Sequence, residues 1–156
     1  KRLFGLLPTA RPDPALGLYT PEATQRTYAR LGELAHTLLS GGLPVVVDAA
    51  SLRQHERAAL RAIALACNAF FVLVSCEAPA ARLQARIQAR QATNQDASDA
   101  DLSVLALQQR VVEPLPPDWA AFSHRVDNSG ELDALAAQVS ALASALVPAL
   151  LPNMRP

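Results

Sequence analysis

Two short, continuously apolar runs constrain this chain most: Leu43-Pro44-Val45-Val46-Val47-Asp48 and Phe70-Phe71-Val72-Leu73-Val74-Ser75. Both lack the polar alternation of a strand with one wet face. β-Branched and aromatic runs of this length, bounded by turn residues, read as strands covered on both faces, as in a parallel sheet. Each is followed by a stretch of helical periodicity, and strands alternating with helices predict an α/β domain. The length of 156 residues suits one domain spanning 1–156, and a composition 51% hydrophobic and 18% charged argues for a packed core over disorder.

Residues 1–19, rich in proline and glycine, predict a loop after a short helix at Lys1–Leu7. Thr20-Pro21-Glu22 combines a capping hydroxyl, a proline suited to the first helical position and an acid on the positive end of the dipole. Tyr28, Leu31, Leu34, Ala35 and Leu38 then share one helical face, and Gly41-Gly42 ends the helix. Further helices are expected at about 52–67, with Leu60, Ile63, Ala64 and Cys67 inward, and at about 79–91. Ser98-Asp99-Ala100-Asp101 resembles a capping box opening a helix at about 99–112, which Pro114 stops. Phe122–Val126 predicts a third strand, Asp127-Asn128-Ser129-Gly130 a turn, and 131–147 a last helix burying Leu132, Leu135, Val139, Leu142 and Leu146. The three strands are expected to run parallel. Cys67 and Cys76 in apolar surroundings read as buried thiols, and His36, His55 and His124, without metal-ligand spacing, as structural.

The formal net charge is zero, which argues against a nucleic-acid partner held by a chain-wide basic field. The zero is made of two halves: residues 1–92 carry 11 Lys and Arg against 6 Asp and Glu, and residues 93–156 carry 3 against 8. No apolar run is long enough to span a membrane and no leader is visible, so a cytoplasmic protein without a membrane partner is expected.

Ligands of parallel sheets gather at the carboxyl ends of the strands. Asp48 ends the first run, where a carboxylate can hold a metal ion through water, orient a hydroxyl or accept its proton. Arg53, Arg57 and Arg61 recur every four residues on the next helix, as do Arg82, Arg86 and Arg90 on the one after. Guanidinium groups grip phosphate oxygens in a bidentate fork, so two such ladders suit a polyphosphate. The polar stretch 91–97 reads as the tip of a lid spanning about 88–98, and the turn at Asn128 and Ser129 offers amides and carbonyls to a base ring.

These residues resemble the small-molecule P-loop kinases of the gluconate kinase and zeta-toxin-like superfamily. Ala50-Ser51-Leu52-Arg53, then Arg57, then Leu60-Arg61 is similar to their third-strand region, and Arg82-Leu83 with Arg86 to the entry of their lid. Glu113-Pro114-Leu115 resembles the lid's return, and Val126-Asp127-Asn128-Ser129-Gly130 the adenine-side turn. More closely, Lys1-Arg2-Leu3-Phe4-Gly5, Tyr19-Thr20-Pro21-Glu22 and Val45-Val46-Val47-Asp48-Ala49 are similar to the C-terminal part of bacterial AAA-type, P-loop kinase-like proteins, often linked to an aminoglycoside-phosphotransferase-like domain.

The resemblance implies a three-layer P-loop NTPase-like parallel sheet and an ATP-dependent phosphotransferase using Mg2+ and a small-molecule hydroxyl acceptor. Asp48 and Arg86 would be catalytic, Arg53 and Arg57 would bind the acceptor, and Arg82, Arg86, Asn128 and Ser129 the nucleotide. No residue is implied as a direct metal ligand, Mg2+ lying near Asp48 through water. One element of the family pattern is missing: the sequence has no G-x-x-x-x-G-K-[ST], and its only lysine is Lys1. The implied first and second strands and phosphate loop are therefore expected upstream of Lys1, leaving an incomplete sheet and a chain inactive by itself. The alternative is a degenerate or truncated non-catalytic module that binds a nucleotide or a partner domain.

Overall fold

The computed structural model describes residues 2–5, 20–93 and 101–150. The expected loop at 6–19, the lid tip beyond Thr93 and Ser98 of the expected capping box lie outside the described residues. A 3-10 turn at Arg2–Phe4 is followed by α1 (Pro21–Ser40), α2 (Gln54–Ala66), β1 (Leu73–Glu77), α3 (Ala80–Thr93) and α4 (Leu102–Val111). A second 3-10 turn (Pro117–Phe122), β2 (Ser123–Asp127) and α5 (Leu132–Leu150) complete the order. The chain divides into two compact units interleaved in sequence, Lys1–Ala69 with Gln84–Pro114, and Phe70–Leu83 with Leu115–Pro156.

In the first unit α1 begins as expected, with Pro21 in its first turn and the Thr20 hydroxyl accepting the Ala23 N–H at 3.2 Å. It ends at Gly41, and Gly42 takes the left-handed φ of 76° that glycine adopts without strain. α1 packs on α2 through its small residues. Ala23, Gly32 and Ala35 are buried, whereas Leu34 and Leu38, expected inward, are 43% and 41% exposed. The reason lies at Gly32, where an added Cβ would stand 2.9 Å from Ile63 Cδ1. The helices approach along the small-residue stripe, which leaves the leucines beside the seam. α2 turns Ala64 inward with Leu60, Ile63 and Cys67 half-buried, as its periodicity predicts. In α4, Asp101 is itself the N-cap rather than the fourth residue of a box: Oδ1 accepts the N–H groups of Ser103 (2.9 Å) and Val104 (3.0 Å).

The run at 43–48, expected as a strand, pairs with nothing among the described residues. Exposure alternates from Val45 to Ala50, the period of an extended chain, and Val46 is 94% exposed. Among the described residues no backbone hydrogen bond joins the groups of Val45–Ala49 to another strand. A β-branched run has the propensity for a strand, but a strand also needs a neighbour to receive its N–H and C=O groups.

In the second unit β1 and β2 pair in parallel, Leu73 opposite Ser123 through Glu77 opposite Asp127. The second and third expected strands are thus present and parallel, but β1 starts at Leu73 instead of Phe70. Extended backwards, this register sets 70–72 opposite 120–122, which lie in the 3-10 turn and offer no ladder. Phe71 instead packs edge-on against Trp119 and Phe122, with ring centroids 6.4 and 5.7 Å away. Trp119 and Val126 are buried there. Cys76 is exposed and Cys67 half-buried, so the two thiols are not both core residues; Cys76 falls on the outward phase of β1. α5 leaves Leu132 80% and Val139 49% exposed, against expectation, and half-buries Leu135, Leu142 and Leu146. Its Gln138 binds both backbone groups of Asp127, accepting the N–H at 3.0 Å and donating to the carbonyl at 2.9 Å. The architecture is mixed α/β with a two-stranded parallel sheet, and among the described residues no helix is long and apolar enough to cross a membrane.

Candidate functional site

The segment that follows 43–48 is where sequence-predicted residues of the first unit meet. Asp48 is exposed and makes no hydrogen bond or ion pair among the described residues. Three residues on, Ser51 has φ of 45°, uncommon for a residue with a side chain. Two helices hold it there. The Tyr28 hydroxyl of α1 accepts the Ser51 N–H at 2.6 Å, and Arg57 of α2 donates Nη1 to the Ser51 carbonyl at 2.9 Å. Burial raises the Tyr28 phenol above its ordinary range, opposed by the hydrogen bonds from Ser51.

Arg57 departs from the expected open guanidinium. It is 5% exposed. Nη1 also reaches the Leu52 carbonyl at 2.9 Å, and Nη2 donates to the carbonyls of Glu113 (3.0 Å) and Pro114 (3.1 Å). The Nε group is buried without a partner among the described residues. The physical reason is that the segment after α4 carries prolines at 114, 116 and 117, which supply carbonyls and no N–H donors. A buried guanidinium with five donors answers that deficit.

Glu113 completes the cluster: its N–H donates to the Leu52 carbonyl at 2.9 Å, and its Oε2 accepts the Gln54 N–H at 2.6 Å. Glu56, 6% exposed, accepts the Arg53 N–H at 3.0 Å, so the N-cap amide and the first amide of α2 each meet a carboxylate. Arg53 is the N-cap residue, but its side chain has no acceptor, so only the Glu56 half of a capping box forms. The Arg53 and Arg86 side chains are exposed and make no hydrogen bond or ion pair among the described residues. Four residues apart in sequence, Arg53 stays open while Arg57 turns to backbone carbonyls.

In the second unit the structure brings Arg82 to the turn after β2. Its Nε donates to the Ser129 carbonyl at 2.8 Å and its Nη2 lies 3.4 Å from Glu131 Oε1. Asp127 Oδ1 accepts the Ser129 N–H at 2.9 Å, and the Ser129 side chain and amide hold the Asp127 carboxyl below its usual range. Asn128 donates its N–H to the Glu77 carbonyl at 2.7 Å, and Arg125 pairs with Glu77 at 2.9 Å. Arg82, Asn128 and Ser129 thus form one tied turn at the carboxyl ends of β1 and β2.

No site role is legible in the sequence for Tyr28, Ser51, Glu113 or Gln138, although Ser51 and Glu113 lie in segments that carry the family resemblance. The proline run at 114–117 is the one signal that marks a need for donors; nothing local announces the tyrosine. As for a nucleotide and Mg2+, the fit is partial. A lone exposed carboxylate such as Asp48 suits Mg2+, which takes one or two carboxylates with water and phosphate oxygens. Arg53 and Arg86 offer unengaged positive charge. A cradle of backbone amides for the β and γ phosphates is not offered by these residues.

No curated protein and no solved structure matches the chain. Residues 1–115 match the AAA domain, a stretch that includes Asp48, Arg53, Arg57, Arg82 and Arg86 but ends before Asn128 and Ser129. That match covers most of the sequence, and the chain belongs to the AAA domain family, whose P-loop members generally bind nucleotide and Mg2+.

Proposed function

We propose that this chain is the acceptor-side and arginine-bearing portion of an ATP-dependent phosphotransferase acting on a hydroxyl acceptor of small-molecule size. The observation that carries the reading is that the AAA-domain match runs across Asp48, Arg53 and Arg86, whose charged ends are exposed and unengaged among the described residues. Bound ATP with Mg2+ supplies the phosphoryl group and screens its charge. Asp48 orients the acceptor hydroxyl or a water of the ion. Arg53 binds the acceptor, and Arg86 offsets charge on the transferring group. Arg57, which the family resemblance assigns to the acceptor, instead fastens the loop that carries Asp48. Arg82 with Asn128 and Ser129 is assigned to the base side of the nucleotide. On this reading the phosphate loop and the remaining strands of a three-layer sheet belong to an upstream segment, and the partner of this chain is that segment or a fused phosphotransferase-like domain.

The second reading is a non-catalytic module that pairs with a partner through an open strand. The unpaired run at 43–48 with Val46 exposed favours it. Steady-state turnover of ATP by a protein extended upstream separates the two. On the phosphotransferase reading Arg86→Ala lowers turnover by about 10²–10³-fold, the scale for losing one electrostatic contact to the transition state. The Michaelis constant for ATP changes much less. Arg30→Ala, removing a surface pair with Glu33, leaves both within about threefold. No turnover in the extended protein, or equal losses in both variants, would contradict the reading.

A further inference from the structure

We infer that Arg57 and Glu113 form a latch through which the backbone after α4 controls the conformation of the loop between Asp48 and α2. Ser51 is the element held. Its left-handed φ of 45° is one that residues with a side chain uncommonly adopt. Both of its backbone groups are satisfied from a distance, the N–H by Tyr28 at 2.6 Å and the carbonyl by Arg57 at 2.9 Å. Arg57 is in turn shared. The same guanidinium that holds Ser51 and Leu52 holds the carbonyls of Glu113 and Pro114. The two stretches also bond directly, Glu113 N–H to the Leu52 carbonyl and Gln54 N–H to the Glu113 carboxylate.

A buried guanidinium deprived of two of its four carbonyls is left with unsatisfied donors in a site that already contains an unpartnered Nε. Displacing Glu113 and Pro114 therefore removes the reason for Arg57 to stay, and with it the support for Ser51. Because the same contacts serve both ends, the coupling is reciprocal: loosening Ser51 must loosen Glu113. The consequence for Asp48 rests on the function proposed above, but the latch itself is independent of any nucleotide.

Amide hydrogen exchange of the whole 156-residue chain, read residue by residue by NMR, tests it. Glu113→Ala removes an exposed carboxylate that does not touch the Ser51 N–H. It is expected to speed exchange at Ser51 by at least about tenfold, a coupling of ordinary size. Glu113→Gln keeps an acceptor for Gln54 and stays within about threefold of the parent, the small change that retained hydrogen bonding allows. In the reverse direction Tyr28→Phe, which removes only the hydroxyl, speeds exchange at the Glu113 amide. The Ala69 amide, bonded to the Ala64 carbonyl at 2.8 Å at the far end of α2, reports general loosening and stays unchanged in all three. Faster exchange at Gln54 alone, or equal acceleration at Ala69, overturns the latch. So does an unchanged Glu113 amide in Tyr28→Phe. None of these results bears on ATP turnover, so the latch and the proposed function fail separately.

Discussion

Replacing Arg57 with methionine, an apolar side chain of similar reach, separates a fastening role from a ligand-binding one. The guanidinium makes four hydrogen bonds, to the carbonyls of Ser51, Leu52, Glu113 and Pro114. Bonds to a charged group are each worth about 1.5–3 kcal/mol net. They share one group, so they do not add. Two terms lower the loss. The Leu52 carbonyl keeps the Glu113 N–H, and methionine removes the buried, unpartnered Nε along with the cost of burying a charge. The carbonyls of Ser51, Glu113 and Pro114 lose the donor that Arg57 gave them, at about 1–3 kcal/mol each, and the net loss is about 3–5 kcal/mol. With a urea slope of about 1–3 kcal/mol per molar, the unfolding midpoint falls by about 2 M. Circular dichroism at increasing urea measures it, with Arg53→Met and Arg86→Met as exposed controls that shift stability by less than about 0.5 kcal/mol. A midpoint for Arg57→Met indistinguishable from the controls would show that the buried bonds do not hold the loop.

Three further outcomes follow from the packing and the caps. Gly32→Val forces a branched side chain against Ile63 and costs about 1–3 kcal/mol, whereas the same variant with Ile63→Ala recovers part of it in a thermal melt. Trp119→Ala empties the centre of the Phe71, Trp119 and Phe122 cluster and lowers stability by about 3–5 kcal/mol, measured by the same urea titration. Asp101 caps α4 with a carboxyl held below the usual carboxylate range, chiefly by the Ser103 side chain and then the Val104 amide. Its contribution is therefore present above the unfolded value and lost as pH falls through the lower folded value. Asp101→Ala costs about 1 kcal/mol at neutral pH and less under acid, while Asp101→Asn keeps most of the cap and flattens that acid dependence.

The helices were legible because their signals are local. Thr20 and Pro21 start α1 where the hydroxyl and ring require, and Gly41-Gly42 stops it. The parallel pairing of β1 with β2 also followed from strand–helix alternation. The run at 43–48 failed for the opposite reason, since pairing is a property of two segments and Val45-Val46-Val47 describes only one. Leu34, Leu38 and Leu132 failed because periodicity gives a face and not the neighbour that covers it. At the candidate site the residue types were readable but not their engagement. Spacing set Arg53 and Arg57 on one helix, and only the carbonyl-rich return at Glu113-Pro114 explains why one is buried and the other open.

The proposed function gives this AAA-domain chain the charged side chains of a nucleotide-dependent transferase and not its phosphate cradle. Calorimetric titration of Mg-ATP into the 156-residue chain, and then into the same chain extended upstream, decides whether that holds. No detectable heat of binding is expected for the first and a measurable affinity for the second, weakened in the second when Arg86 is replaced by alanine. A sub-micromolar affinity in the shorter chain would contradict it, because the missing loop would then not be needed; so would a silent titration of both.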